Sequence, residues 1–180
     1  MIRPIDLGVC HGYEYEGDPA RTAIALPGSM LAGMPVLAFA IQGAVSRGWR
    51  VIQVWDEFLD RSQDATAWTE ARLEAAISFA GADELLVIAK SLTTRAAGIA
   101  AERALPAIWL TPLLNDTDSV EMLRARTAKA LLIGGTADAI WDGALARELS
   151  DDVLEIEGAD HGLARVGDVQ AVADAVAAFG

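Results

Sequence analysis

Cysteine is nearly absent from this sequence of 180 residues: Cys10 stands alone, which excludes an internal disulfide and any cysteine-based zinc cluster. Histidine is almost as scarce. His11 and His161 are too few for a multi-histidine metal site, and no cofactor is expected. Basic residues number 14 against 26 acidic ones, for a formal charge of −12. Nucleic acid and anionic membrane both call for clustered Lys and Arg, so neither is expected as a partner; the charge serves solubility. No apolar stretch approaches the roughly 18 residues of a membrane span. The longest, 30–45, is interrupted by Pro35, Gln42 and two glycines. The opening MIRPIDLGV lacks the apolar run and small-residue cleavage site of a secretory signal, and a cytoplasmic location is expected. Neither G-x-G-x-x-G nor G-x-x-x-x-G-K-[ST] follows an early strand, which removes the common nucleotide-binding readings.

What is present is ordinary globular material, 53% hydrophobic and 22% charged. Its length suits one domain, expected to span 1–180, with a sizeable core. Short, nearly all-apolar runs at 22–26, 50–54, 85–89, 107–110, 130–133 and 153–156 lack the in/out alternation of a half-exposed strand. Parallel strands covered on both faces have this character. Helical stretches fill the gaps, at 35–47, 67–79, 92–104, 120–126, 141–149 and 168–179. Pro35 suits a first helical position and Asp168 a cap. Repeated βα units predict an α/β, doubly wound, mostly parallel sheet of about six or seven strands, helices on both faces. The segment 5–16 is left as a candidate for an edge strand or two.

In such sheets reactive groups collect beyond the carboxyl ends of the strands. Ser91 follows the run Leu85-Leu86-Val87-Ile88 and precedes a helix, where a sharp turn would lift a serine clear of the sheet. Taken alone, a serine there more often caps the helix. Asp138 follows the fifth run after Gly134-Gly135-Thr136-Ala137. A carboxylate there can orient an imidazole, although an aspartate after a glycine turn is commonplace. His161 lies past the last strand between glycines, with no apolar face to pack into; its neighbour Asp160 is better suited to holding the loop. Pro27-Gly28-Ser29-Met30 closes the first central strand as a turn, which alone is only a Pro-Gly turn. The order serine, aspartate, histidine across these strand ends is stronger than any part.

The segments ALPGSM, VIQVWDEF, LLVIAKSLTT, AIWLTPLL, ALLIGGTADAIWDG and LEIEGADHGL together resemble the α/β-hydrolase superfamily. The likeness is to small members without a cap domain, akin to dienelactone hydrolases and small carboxylesterases. The resemblance implies Ser91 as nucleophile, His161 as general base and Asp138 as its orienter. It also implies backbone N–H donors of Ser29 and Leu92 for an oxyanion hole. Met30, Trp55, Leu113, Leu114 and Trp141 follow strand ends and are candidates for an acyl pocket; core packing suits each equally well. The expected activity is hydrolysis of a small ester or related acyl substrate, with a homodimer left open.

Two departures stand out. The G-x-S-x-G pattern reads A-K-S-L-T here, so a branched Thr93 occupies a close contact. Pro27 stands where a histidine commonly precedes the oxyanion-hole glycine. Dienelactone hydrolases proper use a cysteine nucleophile, and Cys10 is outside the elbow. The alternative is a catalytically impaired binding protein on the same fold, recognisable by His161 turned from Ser91 or by Thr93 obstructing the turn.

Overall fold

A computed structural model describes residues 1–30 and 32–179. Every second residue of a central strand faces the same side of the sheet, and here both sides are apolar. In β3 (Asp18–Leu26), Ile24 and Leu26 enter one core cluster while Ala23 and Ala25 enter the other. The same split divides Val87 and Ala89 from Leu86 and Ile88 in β5 (Glu84–Lys90). It divides Ala107 and Trp109 from Ile108 and Leu110 in β6 (Ala107–Leu110). This two-sided burial is why the strands read as unbroken apolar runs.

The strands form one eight-stranded sheet in the order β1-β2-β4-β3-β5-β6-β7-β8, with β4 (Trp49–Trp55), β7 (Ala130–Gly135) and β8 (Asp152–Ile156). Pairing is parallel from β4 through to β8. β1 (Ile2–Asp6) and β2 (His11–Tyr15) add an antiparallel edge against β4. The expected six or seven strands are thus eight among the described residues. The extra ones come from 2–15, where one exposed edge gives only a weak apolar pattern.

Helices α1 (Pro35–Ser46) and α6 (Val166–Phe179) cover one face, packing through Val36, Leu37, Val169, Val172 and Val176. The other face carries α2 (Ala65–Ala80), α3 (Ala97–Glu102), α4 (Thr117–Arg124) and α5 (Gly143–Leu149). No connection among the described residues carries a separate cap domain. Asp168 lies third in α6 rather than capping it, and takes an ion pair from Arg165 at 2.9 Å. Asp64, Asp116 and Asp142 do cap helices; Asp64 and Asp142 each accept two backbone N–H bonds from the first turn, and Asp116 accepts that of Ser119.

The stretch expected as a helix over 92–104 is divided. Residues Ser91–Ala96 form a 3₁₀ helix, and α3 begins only at Ala97. Two threonines account for the tighter winding. Thr93 Oγ1 donates to the Lys90 carbonyl at 3.0 Å and Thr94 Oγ1 to that of Ser91 at 2.6 Å. Such local side-chain bonds compete with regular helical ones.

Candidate active site

Sharp turns follow β5, β7 and β8 at the same end of the sheet. Ser91 is the first residue after β5 and holds φ +52°, a left-handed conformation that is uncommon for a residue with a side chain. The turn brings its hydroxyl 2.8 Å from His161 Nε2. On the far side of the ring, Nδ1 lies 2.7 Å from Asp138 Oδ2. An ionised carboxylate only accepts, so Nδ1 carries the proton and Nε2 is left to accept from the Ser91 hydroxyl. Asp138 is 2% exposed at its side chain and His161 36%, so the acid is shielded while the base meets solvent. The three residues the sequence singled out are joined in one hydrogen-bonded chain.

The carboxylate is itself held. Its Oδ1 accepts the Ile140 N–H at 2.9 Å, and the Asp138 N–H reaches the Gly135 carbonyl at 3.0 Å. The loops bearing Asp138 and His161 are zipped together by backbone bonds. Ala137 N–H donates to Ala159 O at 3.0 Å, and Thr136 N–H to Ile156 O at 3.1 Å. Gly158 N–H adds a bond to Thr136 Oγ1 at 2.7 Å. Asp160 braces its own loop, accepting the Gly162 N–H at 2.9 Å.

The turn after β3 runs beside the serine: a Cβ placed on Gly28 would lie 3.8 Å from Ser91 Cβ. Phe58 N–H donates to the Ser29 carbonyl at 3.0 Å, tying that turn to the loop after β4. Ser29 follows Gly28 in that turn, and Leu92 follows Ser91 in the 3₁₀ helix. His11 sits at the start of β2, paired in register with Trp55, and takes no part in the hydrogen-bonded chain of Ser91, His161 and Asp138 described above.

Comparison with solved structures gives this arrangement a context. An esterase domain from a Rhodothermus marinus protein superposes with a TM-score of 0.78 at 13% identity, covering 99% of this chain and 97% of that one. A dienelactone hydrolase from Anabaena variabilis gives 0.77 at 16% identity, with 99% and 95% covered. An alpha-beta serine hydrolase homologue from Coxiella burnetii gives 0.74 at 13%, with 99% and 96% covered. The chain has the α/β-hydrolase fold. No protein-family model and no curated protein sequence matches it.

Against that fold, the altered elbow proves well accommodated. Thr93 is fully buried, and its hydroxyl accepts the Lys90 N–H at 3.0 Å while donating within reach of the Lys90 and Leu26 carbonyls. A branched residue fits the α/β-hydrolase turn because its polar atom is satisfied there rather than pushed against backbone. His161 faces Ser91, and the Thr93 hydroxyl braces the turn.

The pocket candidates separate. Met30 is 56% and Trp55 43% exposed, with Trp55 edge-on to Tyr13 at 5.2 Å. Leu113 is half-buried and its N–H bonds Thr94 Oγ1 at 3.2 Å. Leu114, at 6% exposure, packs in the hydrophobic core, the second of the two readings open to it. Trp141 lies against Gly134, where a Cβ would overlap its ring, and donates its indole N–H to Glu155 at 2.7 Å. That explains the first glycine of the Gly134-Gly135 pair. The second glycine and Lys90 are site residues whose roles the strand-end pattern did not disclose.

Proposed function

We propose that the protein is a serine hydrolase acting on a small ester or related acyl compound, in the cytoplasm. The observation that carries this reading is the continuous hydrogen-bonded chain from Ser91 Oγ through the His161 ring to Asp138. As Ser91 attacks the substrate carbonyl, His161 Nε2 takes its proton, and the resulting imidazolium is stabilised by Asp138. The backbone N–H groups of Ser29 and Leu92 hold the oxyanion; one such donor is typically worth about 3 kcal/mol in the transition state. The imidazolium then gives its proton to the departing alcohol oxygen as the ester C–O bond breaks, leaving the acyl group on Ser91. Water deprotonated by the neutral His161 attacks that acyl group, and the Ser91 oxygen leaves with the proton returned by the imidazole.

Met30 and Trp55, exposed on the Ser29 side, with Leu113, offer apolar surface to the acyl group. Esterases and hydrolases among the structures sharing the fold favour this class of substrate. Cys10 is no rival nucleophile: burial and the nearby Asp56 carboxylate push its thiol up to about 11, so it stays protonated near neutrality.

The test is a panel of activated esters of increasing acyl length, together with an active-site fluorophosphonate. Wild type is expected to hydrolyse the short esters and to be phosphonylated at Ser91, and Ser91→Ala to do neither. Hydrolysis that survives Ser91→Ala would overturn the mechanism.

A further inference from the structure

Lys90, immediately before the nucleophile, is the least expected side chain in the site. It is 4% exposed, and a buried ammonium is costly unless its donors are used. Two of them are. Nζ donates to Thr111 Oγ1 at 3.2 Å and to the His161 carbonyl at 3.0 Å. Consecutive residues therefore grasp the same histidine from opposite ends: Ser91 meets its ring and Lys90 its backbone. The result is a closed ring of covalent and hydrogen bonds running through Lys90, Ser91 and His161.

Strain marks the same place. Thr111, after β6, is fully buried with φ +44°, and Leu163, two residues beyond His161, has φ +48°. With Ser91, three non-glycine residues in left-handed conformation lie in the loops that surround Lys90. Such conformations persist only where the surroundings over-determine them. For a β-branched threonine the conformation is unfavourable, and here it accompanies a hydroxyl placed on the Lys90 ammonium.

We propose that Lys90 is a positioning residue, whose ammonium ties the histidine loop to the nucleophile elbow and so fixes the His161 ring against Ser91. The proposal rests on the hydrolase reading above for its catalytic consequence, but its structural content stands apart from it. The Lys90 ammonium bonds the Thr111 hydroxyl and the His161 backbone carbonyl; it acts through His161.

The charge on Lys90 adds a pH dependence. Burial pulls its pKa down from 10.5 to about 8, against the opposing pull of the Asp138 and Asp160 carboxylates. Asp138 follows β7, while Asp160 and the His161 imidazole itself lie in the loop after β8; from the β6 side the Thr111 hydroxyl meets the ammonium. Above that pH the amine keeps donors but loses the charge that strengthens both bonds. The grip on His161 slackens as pH rises.

The experiment uses the full chain as wild type, Lys90→Met and Thr111→Val. The second-order rate of Ser91 phosphonylation by a fluorophosphonate is followed from about pH 6 to about pH 10. In parallel, the His161 ring signals are read by ¹⁵N NMR, with His11→Gln leaving His161 as the single histidine. Wild type is expected to lose reactivity through pH 8, and Thr111→Val, with one acceptor gone, to lose it at lower pH. Lys90→Met is expected to react about 10²-fold more slowly, without the alkaline fall, and with a broadened Nδ1–H signal. Rates within about twofold of wild type, an unchanged pH profile and an unchanged ring signal would overturn the proposal. If Lys90→Met does not fold, Thr111→Val decides by the same readouts. A wild type that is not phosphonylated at Ser91 rejects the hydrolase reading, while the NMR signals still decide for or against the positioning role.

Discussion

Gly135 and Ala159 stand so close that a Cβ on the glycine would overlap the alanine carbonyl oxygen. That oxygen accepts the Ala137 N–H, so the contact lies in the seam joining the Asp138 turn to the His161 loop. Gly135→Ala is expected to force the loops apart. Overpacking typically costs about 1–3 kcal/mol, and a displacement of about 1 Å at the triad about 10²-fold in rate. Urea unfolding and ester hydrolysis measured on the same preparation check both effects.

Asp138→Asn tests the tautomer. The amide keeps an oxygen for the Ile140 N–H, so the turn survives. Its NH₂ then faces His161 Nδ1 as a donor and favours the proton on Nε2, where it cannot accept from Ser91. Loss of the corresponding aspartate in serine proteases lowers kcat about 10⁴-fold. A similar fall in activated-ester hydrolysis, with little change in thermal midpoint, is the expected outcome.

Lys90 makes stability run against activity. Between its folded pKa of about 8 and its ordinary 10.5, the unfolded chain binds a proton that the folded chain lacks. Stability therefore rises with pH there. Cys10, raised from 9.0 to about 11, opposes this from pH 9 upward. Between pH 8 and pH 9 wild type is expected to gain up to ~1 kcal/mol, read as a higher urea midpoint, and Lys90→Met to lose this increment.

Thr93→Val keeps shape but removes the acceptor for the buried Lys90 N–H at the elbow. An unsatisfied buried donor costs about 1–3 kcal/mol, and Ser91 phosphonylation is expected to slow. Thr93→Gly, although closer to the usual elbow, is expected to lose stability as well, because the same bonds vanish. Faster Ser91 phosphonylation of Thr93→Gly would mean that the threonine hampers the turn.

Trp55→Ala and Leu114→Ala separate pocket from core. Trp55 is 43% exposed and Leu114 6%. The first is expected to lower kcat/KM selectively for longer acyl chains, by about 1–3 kcal/mol per methylene discriminated. The second is expected to destabilise by about 2–5 kcal/mol while leaving chain-length preference intact. The ester panel and a denaturation curve distinguish them.

The parallel core was legible in the sequence because burial on both faces demands unbroken apolar runs, as at Leu86, Val87 and Ile88. Ser91, Asp138 and His161 were legible because a strand end is a local feature, and because two histidines leave little choice. The edge strands β1 and β2 were indistinct, since an exposed strand such as Ile2–Asp6 needs no apolar signature. The division of the elbow segment into a 3₁₀ turn and α3 depends on where two threonine hydroxyls point, which side-chain chemistry permits but does not dictate.

By itself, then, the order of residues pointed to the α/β architecture through short-range apolar pattern, and to the three members of the hydrogen-bonded chain through their order across successive strand ends and the resemblance it carries. Tertiary structure alone decided that Leu114 is core, that Thr93 braces the elbow instead of blocking it, and that Lys90 reaches the His161 carbonyl. Each of those depends on which strand ends lie side by side once the sheet is ordered, and residues 90, 111 and 161 meet only because β5, β6, β7 and β8 are neighbours in sequence in that sheet.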